Sequence, residues 1–269
     1  MSLETLVLLT PWWLALLLGL ALGSFNNVLI HRVPKGLSLV RPGSSCPACA
    51  RAIRPWENLP LLSWLWLRGR CAGCGWRIPL RYPLVEALTA LVALSVAARV
   101  PLDWSWLVWI PALSLLVALA AIDMDCRRLP NPLTAALALL GALGLLLSLT
   151  GVTGPTGRLP GLLDALLGSL AGGGLLWGMA WLGWLLFKKE GMGAGDVKLM
   201  AAMGLLLGWP STLLAIFLGA LGGSVAGLLR GRKRGHELAF GPWLALGCWL
   251  AFLRGPEWIQ AYLNWALGL

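Results

Sequence analysis

Charged side chains are scarce in this sequence: Asp, Glu, Lys and Arg make up 12% of its 269 residues, whereas hydrophobic residues make up 58%. A soluble globular domain carries about 25% charged residues. This deficit excludes an ordinary soluble protein, and apolar runs long enough to cross a bilayer recur along the chain. We therefore predict an all-α polytopic membrane protein with about eight transmembrane helices, at 5–30, 83–101, 104–123, 131–150, 161–187, 196–209, 211–229 and 239–253.

Lys and Arg are absent ahead of the first apolar run, where Glu4 stands instead. A secretory signal peptide carries a positive segment at this point and has a shorter apolar core. We therefore expect residues 1–30 to remain as the first transmembrane helix. The small residues "ALGS" at 21–24 leave cleavage of a signal open as an alternative.

Acidic residues are also few, 11 against 21 Lys and Arg, and the net charge is +10. A basic chain can indicate a nucleic-acid partner, but the distribution of the cations favours a topological origin. All of them except Arg99, Arg158 and Arg254 fall in alternate loops, at 31–82, near 127, at 188–198 and at 230–234. The positive-inside rule places these loops in the cytoplasm and both termini outside. We expect membrane lipid, and no nucleic acid, as the partner of this charge.

The chain is predicted to divide into three parts. Residues 1–30 form the first transmembrane helix, residues 31–82 a polar cytoplasmic domain rich in Pro and Arg, and residues 83–269 a transmembrane helix bundle. The segment 254–269 is typical of an amphipathic, interfacial helix, because Trp and Tyr prefer the headgroup level.

Four cysteines in the polar insertion form two CxxC pairs, Cys46-Pro-Ala-Cys49 and Cys71-Ala-Gly-Cys74. Two such pairs supply four thiolates for tetrahedral Zn²⁺, and a metal would stabilise an insertion too small for a strong core. A redox-active pair is the alternative, although no thioredoxin-like strand and helix surround it. Cys126 and Cys248 are unpaired and are expected to be inert or to serve packing.

Two carboxylates lie at the ends of apolar helical runs, where charge is costly and often functional. Asp123 ends one run and Asp196 begins another, both at the predicted cytoplasmic ends, so we expect them to face each other. Asp125 is turned about 200° from Asp123 on a helix, and it is expected to face water. As an alternative, Asp196 could serve only as a helix N-cap.

Glycines precede Asp196 in "GMGAGD", but no strand precedes them, which argues against a dinucleotide-binding loop. Two carboxylates in a poorly hydrated site share a proton, so that one activates water while the other polarises a peptide carbonyl. Gly191, Gly193 and Gly195 would then let a substrate backbone approach. Two alternatives remain: a proton-coupled transporter that uses the same two Asp, and a non-catalytic assembly or metal-sensing protein.

Four segments carry a resemblance to a known family: "GSFNNVLIHRVP" at 23–34, the two CxxC pairs with the residues around them at 46–86, "AIDMDCRRLPN" at 121–131, and "GMGAGDVKL" at 191–199. In this order they resemble the bacterial type IV prepilin peptidases, which are GxGD-type aspartyl proteases of the inner membrane. The match covers roughly residues 20–210. Cys126 and Asn131 differ from residues common in that family.

The resemblance implies cleavage of the leader peptide of prepilins and pseudopilins, in type IV pilus and type II secretion systems, with Asp123 and Asp196 as the catalytic pair. It further implies N-methylation of the new N-terminal residue, typically Phe, with S-adenosylmethionine as donor. It supports Zn²⁺ at the four cysteines. Gly69 and Glu86 are candidates for the methyl-donor site, although the structural alternative, a tight turn for Gly69 and a helix-start carboxylate for Glu86, is favoured for each.

Overall fold

The computed structural model describes residues 3–152, 158–188, 192–229 and 239–268. Most of these residues are helical, and they contain no β-strand beyond two isolated bridges. The helices are α1 (Leu3–Arg32), α2 (Leu62–Trp66), α3 (Arg81–Arg99), α4 (Trp106–Cys126), α5 (Asn131–Thr150), α6 (Leu162–Phe187), α7 (Ala194–Leu207), α8 (Trp209–Leu229) and α9 (Gly241–Leu267), with short 3₁₀ turns at Val33–Lys35 and Pro55–Asn58. The all-α membrane architecture predicted from composition is confirmed.

Six helices in the described ranges are long and apolar enough to cross a membrane: Thr10–Lys35, Arg81–Arg99, Trp106–Cys126, Asn131–Thr150, Leu162–Leu186 and Trp209–Leu229. The other two predicted spans, 196–209 and 239–253, fall on α7 and on the first half of α9. Helix α7 has 14 residues, which at 1.5 Å per residue is about 21 Å, less than the ~30 Å of bilayer hydrocarbon. Helix α9 continues through Arg254 and Glu257, so its apolar part is interrupted.

Helix α4 forms the centre of the bundle. Its side chains from Trp109 to Ile122 supply much of the buried core, and it packs against α1, α3, α5 and α9. One buried polar side chain ties three helices together: the Asn26 amide of α1 donates to Thr89 Oγ1 of α3 at 3.2 Å and to Ser114 Oγ of α4 at 3.0 Å. A satisfied polar network of this kind fixes which helices are neighbours.

Glycines bring the helices of the second half into close contact. An added Cβ on Gly168 of α6 would lie 2.3 Å from the Gly204 carbonyl oxygen of α7, and one on Gly247 of α9 would lie 2.2 Å from the Ala215 oxygen of α8. The small-residue runs therefore serve helix packing, as is common in membrane bundles. This packing holds the short helix α7 among longer neighbours.

Candidate active site and cysteine cluster

Asp123 lies in the last turn of α4, where the apolar run ends. Its side chain is 6% exposed, and its Oδ2 accepts a hydrogen bond of 2.9 Å from the backbone N–H of Gly241. The helix stops three residues later, because Arg127 adopts a left-handed conformation with φ 52° and its N–H returns to the Asp123 carbonyl at 2.8 Å. The start of α9 thus holds this carboxylate in place.

Asp196 lies in the first turn of α7 and is 9% exposed. The residue that caps this helix is Gly193, and the Asp196 N–H donates to its carbonyl at 3.1 Å. Asp196 is therefore the third helical residue, and the interpretation of it as the N-cap is wrong. The helix begins two residues earlier than predicted. A carboxylate in the first turn is still favoured by the positive end of the helix dipole.

The two carboxylates belong to one region, because Asp123 is within range of direct electrostatic interaction with Asp196. Three helix ends surround them: the end of α4 and the beginnings of α7 and α9. Leu129, in the connection from α4 to α5, packs against Gly195, where an added Cβ would lie 2.7 Å from the Leu129 Cβ. The pair is thus enclosed by backbone and apolar side chains, which limits hydration of both charges.

The glycines around Asp196 differ in their surroundings. An added Cβ on Gly193 would lie 3.6 Å from Asp196 Oδ2, so this residue borders the carboxylate directly. Gly195 faces Leu129, and the close packing there accounts for the absence of a side chain. Gly191 lies outside the described residues.

Gly241 also belongs to the site, although the sequence alone did not identify it as a site residue. An added Cβ there would lie 2.8 Å from Asp123 Oδ2, so any larger residue would displace the carboxylate or itself. The contact joins residues 118 positions apart. The only local signal is the sequence Gly241-Pro242 at a helix start, where Pro is common for reasons unrelated to chemistry.

Asp125 is exposed, as predicted, but its partner lies on another helix. Its Oδ2 is 2.5 Å from Arg81 Nη1 at the start of α3. Because α3 begins where the polar insertion ends, this ion pair places the insertion at the same end of the bundle as Asp123. At the opposite end, Arg99 and Arg158 lie 2.6 and 3.6 Å from Glu257.

The four cysteines of the insertion come together. The Sγ atoms of Cys46, Cys49, Cys71 and Cys74 all lie within 4.8 Å of one another. Two similar turns present them, closed by hydrogen bonds from Ala50 N to the Cys46 oxygen and from Gly75 N to the Cys71 oxygen. This geometry agrees with the predicted pair of zinc knuckles.

The thiols of the cluster differ in their electrostatic surroundings. The backbone N–H groups of Cys74 and Gly73 point at the Cys71 sulfur and lower the pKa of this thiol to about 6. At Cys74 the Trp76 N–H lowers the pKa, but burial and the neighbouring sulfurs outweigh it and raise the pKa to about 11. Arg51 lies beside the cluster, since an added Cβ on Gly73 would be 3.0 Å from Arg51 Nε and 3.7 Å from Cys49 Sγ. Glu57 in turn holds the Arg51 guanidinium at 2.6 Å. Four thiols at this spacing fit a tetrahedral Zn²⁺ site.

The two candidate methyl-donor residues have different positions relative to one cavity. Glu86 accepts a hydrogen bond of 2.8 Å from the Leu61 N–H and lines a cavity of about 420 Å³ between α1, α3 and the insertion. Gly69, with φ 65°, lies against the Trp64 ring, and an added Cβ would be 2.9 Å from Trp64 Cζ2. Trp64 itself lines the cavity, so Gly69 supports the wall and Glu86 belongs to it.

Comparisons with known proteins cover nearly the whole chain. Residues 17–100 match the model of the bacterial peptidase A24 N-terminal domain, and residues 110–228 match that of the type IV leader peptidase family. A protein of Aeromonas hydrophila named prepilin leader peptidase/N-methyltransferase is 41% identical to this chain, covering 94% of it and 95% of its own length. Proteins of the same name from Pseudomonas aeruginosa and Neisseria gonorrhoeae are 38% and 36% identical, covering 93% and 94% of the chain and the same shares of their own lengths.

No solved structure matches the chain. The relatives confirm the resemblance carried by the four sequence segments, and their similarity extends to the C-terminal region that those segments do not reach. With 41% identity over nearly its full length, the chain belongs to the type IV leader peptidase family and is a membrane-embedded peptidase.

Proposed function

We propose that this enzyme cleaves the leader peptide of prepilins and pseudopilins with Asp123 and Asp196 as an aspartyl pair, and then N-methylates the new N-terminus. The observation that supports the peptidase part is that two buried carboxylates, close enough to interact electrostatically, lie at one end of the bundle. Relatives named prepilin leader peptidase/N-methyltransferase support the substrate and the second activity.

The chemistry of the pair follows from its enclosure. Two neighbouring carboxylates with little water cannot both ionise easily, so the pair holds one proton. The ionised carboxylate takes a proton from a water molecule as that water attacks the scissile carbonyl carbon. The protonated carboxylate donates to the carbonyl oxygen, and a proton then passes to the leaving nitrogen as the C–N bond breaks. Gly193 lets the substrate backbone approach Asp196.

The position of the site favours cleavage at the cytoplasmic face. The polar insertion at 31–82 and the Asp pair lie at one end of the bundle, and the cation-rich loops predict that this end is cytoplasmic. Both termini are then periplasmic, and residues 83–269 carry the peptidase site. A proton-coupled transporter is not favoured, because both carboxylates lie at helix ends whereas transporter sites lie near the midplane.

The cavity beside Glu86 favours the second activity. Its volume of about 420 Å³ is within the usual range for a small-molecule site, about 300–1,000 Å³. Asn27, His31, Trp64, Tyr82 and Glu86 line it, and they offer aromatic faces for an adenine and a carboxylate for a ribose hydroxyl or an ammonium. S-adenosylmethionine would supply an electrophilic methyl group there. The residues would orient it towards a substrate amine.

The cysteine cluster is proposed as a structural Zn²⁺ site. Its four thiolates would saturate the metal, which leaves no open position for a substrate. The metal would thereby stabilise the insertion that forms one wall of the cavity.

The activity is tested with the purified enzyme in lipid nanodiscs, a prepilin-like substrate and S-adenosylmethionine. We expect the mass of the product to show loss of the leader and gain of one methyl group. An intact substrate would contradict the peptidase assignment, and a cleaved but unmethylated product would contradict the methyltransferase assignment.

Glu86→Gln tests the cavity separately. We expect weaker binding of S-adenosylhomocysteine by calorimetry, by roughly 10- to 150-fold for one lost charged hydrogen bond of about 1.5–3 kcal/mol, with cleavage unchanged. Glu257→Gln is the matched control, because this carboxylate lies at the opposite end of the bundle near Arg99. If Glu86→Gln and the unchanged enzyme bind S-adenosylhomocysteine equally well, Glu86 is not part of the proposed donor site.

A further inference from the structure

Helix α2 carries an apolar stripe that the peptidase and methyl-transfer chemistry do not use. Leu62, Leu65 and Trp66 lie in α2, and Leu59 lies just before it, where its oxygen accepts a hydrogen bond of 3.0 Å from the Ser63 N–H of the helix. These four side chains, called here the α2 stripe, are all exposed, and Trp66 is 86% exposed. Exposed large apolar patches mark interaction sites.

The other side of α2 faces the protein. The Trp64 indole N–H donates to the Ile78 oxygen at 3.3 Å, and the Leu61 N–H donates to Glu86 Oε2 at 2.8 Å. The α2 stripe is therefore the exposed face of a helix whose other face is packed against the protein.

The bond to Glu86 fixes the level of α2 relative to the bilayer. Glu86 is five residues beyond Arg81, the first residue of the membrane span Arg81–Arg99, which is about 7.5 Å along the helix axis. The beginning of α2 consequently lies beside the first turns of a spanning helix. Leu84 and Leu88 of that helix are also exposed apolar residues at the same level.

The side chains next to the α2 stripe are positively charged, which suits a membrane surface of negative charge. Arg68 and Arg70 follow the stripe directly and are exposed. In the insertion at 31–82, Glu57 is the one acidic residue, and it is paired with Arg51. Each Lys or Arg near an anionic leaflet contributes about 1 kcal/mol of attraction. Leu and Trp on one side with Arg beside them are typical of interfacial helices.

We propose that the α2 stripe inserts into the lipid headgroup region of the same membrane that α3 crosses, and that Arg68 and Arg70 bind anionic headgroups. This attachment holds the cysteine domain flat against the bilayer, above the end of the bundle that contains the Asp pair. The inference does not depend on either enzymatic activity.

The test places the fluorescent amino acid Anap at position 66 of the full chain in nanodiscs. The discs contain phosphatidylglycerol with brominated phosphatidylcholine, which quenches fluorophores in lipid, and iodide serves as the aqueous quencher. Anap at position 91, on the exposed side of α3, is the lipid-facing control. Anap at position 41, exposed in the insertion and outside the stripe, is the aqueous control.

We expect the probe at position 66 to be quenched by brominated lipid as at position 91, and to be protected from iodide. Replacing phosphatidylglycerol by unbrominated phosphatidylcholine at a fixed bromolipid fraction should reduce that quenching, and Arg68→Glu with Arg70→Glu should reduce it further. A probe quenched by iodide as at position 41 would overturn the proposal. So would a probe protected from both quenchers, because a protein partner or a second copy would then cover the stripe.

Discussion

Among single residues, Gly241 has the most direct steric control over Asp123. Its N–H donates to the Asp123 carboxylate at 2.9 Å, and a Cβ there would lie 2.8 Å from Oδ2. We predict that Gly241→Ala slows cleavage by tenfold or more, since a displacement of about 1 Å in a catalytic group can cost roughly 10²-fold. The measurement is the initial rate of leader removal in nanodiscs.

Gly174→Ala is the matched control for this substitution. Gly174 lies in α6, and an added Cβ there meets no atom within 4 Å. It should leave cleavage unchanged. If Gly241→Ala cleaves as fast as Gly174→Ala, the contact between α9 and Asp123 is not part of the working site.

Asp123 and Asp196 could be singled out from the sequence, because a carboxylate next to an apolar run is costly and often functional, and both are buried at helix ends in the structure. Gly241 was not predictable, since its role arises from a contact between helices far apart in the chain. Asp125 was predicted to face water and is exposed. Its pairing with Arg81 also depends on tertiary structure and could not be inferred locally.

At the scale of helices, the contact between α6 and α7 determines where Asp196 lies. An added Cβ on Gly204 would be 2.2 Å from the Gly168 oxygen. We predict that Gly204→Ala forces the two helices apart and lowers stability by about 1–3 kcal/mol, the usual cost of overpacking. The midpoint of thermal unfolding in detergent measures this loss.

Gly178→Ala serves as its counterpart in α6, because an added Cβ there meets no atom within 4 Å. This substitution should keep or slightly raise the midpoint, since Ala favours a helix over Gly by about 0.5–1 kcal/mol. Equal midpoints for the two variants would show that the close approach at Gly204 contributes little to the bundle.

Helix boundaries were harder to predict than helix identity. The predicted span starts at Asp196, where the apolar run begins, and the glycines before it disfavour helix. In the structure Gly193 caps the helix, and Gly195 is accepted because Leu129 packs against it. Tertiary packing thus outweighs local propensity, and it also accounts for how a 14-residue helix is held within the bundle.

For the whole molecule, the cysteine cluster brings together the two CxxC turns of the polar insertion. We predict that the purified enzyme contains one zinc ion per chain, and that Cys46→Ser loses it, because Cys46 is buried among the other three thiols. Methylation should fall more than cleavage, since the insertion forms a wall of the donor cavity while the Asp pair lies in the bundle. Elemental analysis and product mass measure the two effects.

Cys126→Ser is the control for metal loss, because this exposed cysteine lies outside the cluster. It should retain zinc and both activities. Zinc content unaffected by Cys46→Ser would contradict the metal site.

A cluster of this kind was predictable, since CxxC spacing reports the turn geometry directly. The cavity beside Glu86 was not, because α1, α3 and the insertion form it together.

Separate Asp123→Asn and Asp196→Asn variants test most directly whether the two residues act as one catalytic pair. Each change removes an acid or base while keeping the shape of the side chain, and general acid–base groups contribute roughly 10²–10⁴-fold. We predict that each variant alone loses cleavage by at least about 10²-fold, as measured by the mass of the substrate. Asp125→Asn should cleave normally, and both Asp variants should still bind S-adenosylhomocysteine. Normal cleavage by either Asp123→Asn or Asp196→Asn would contradict the account.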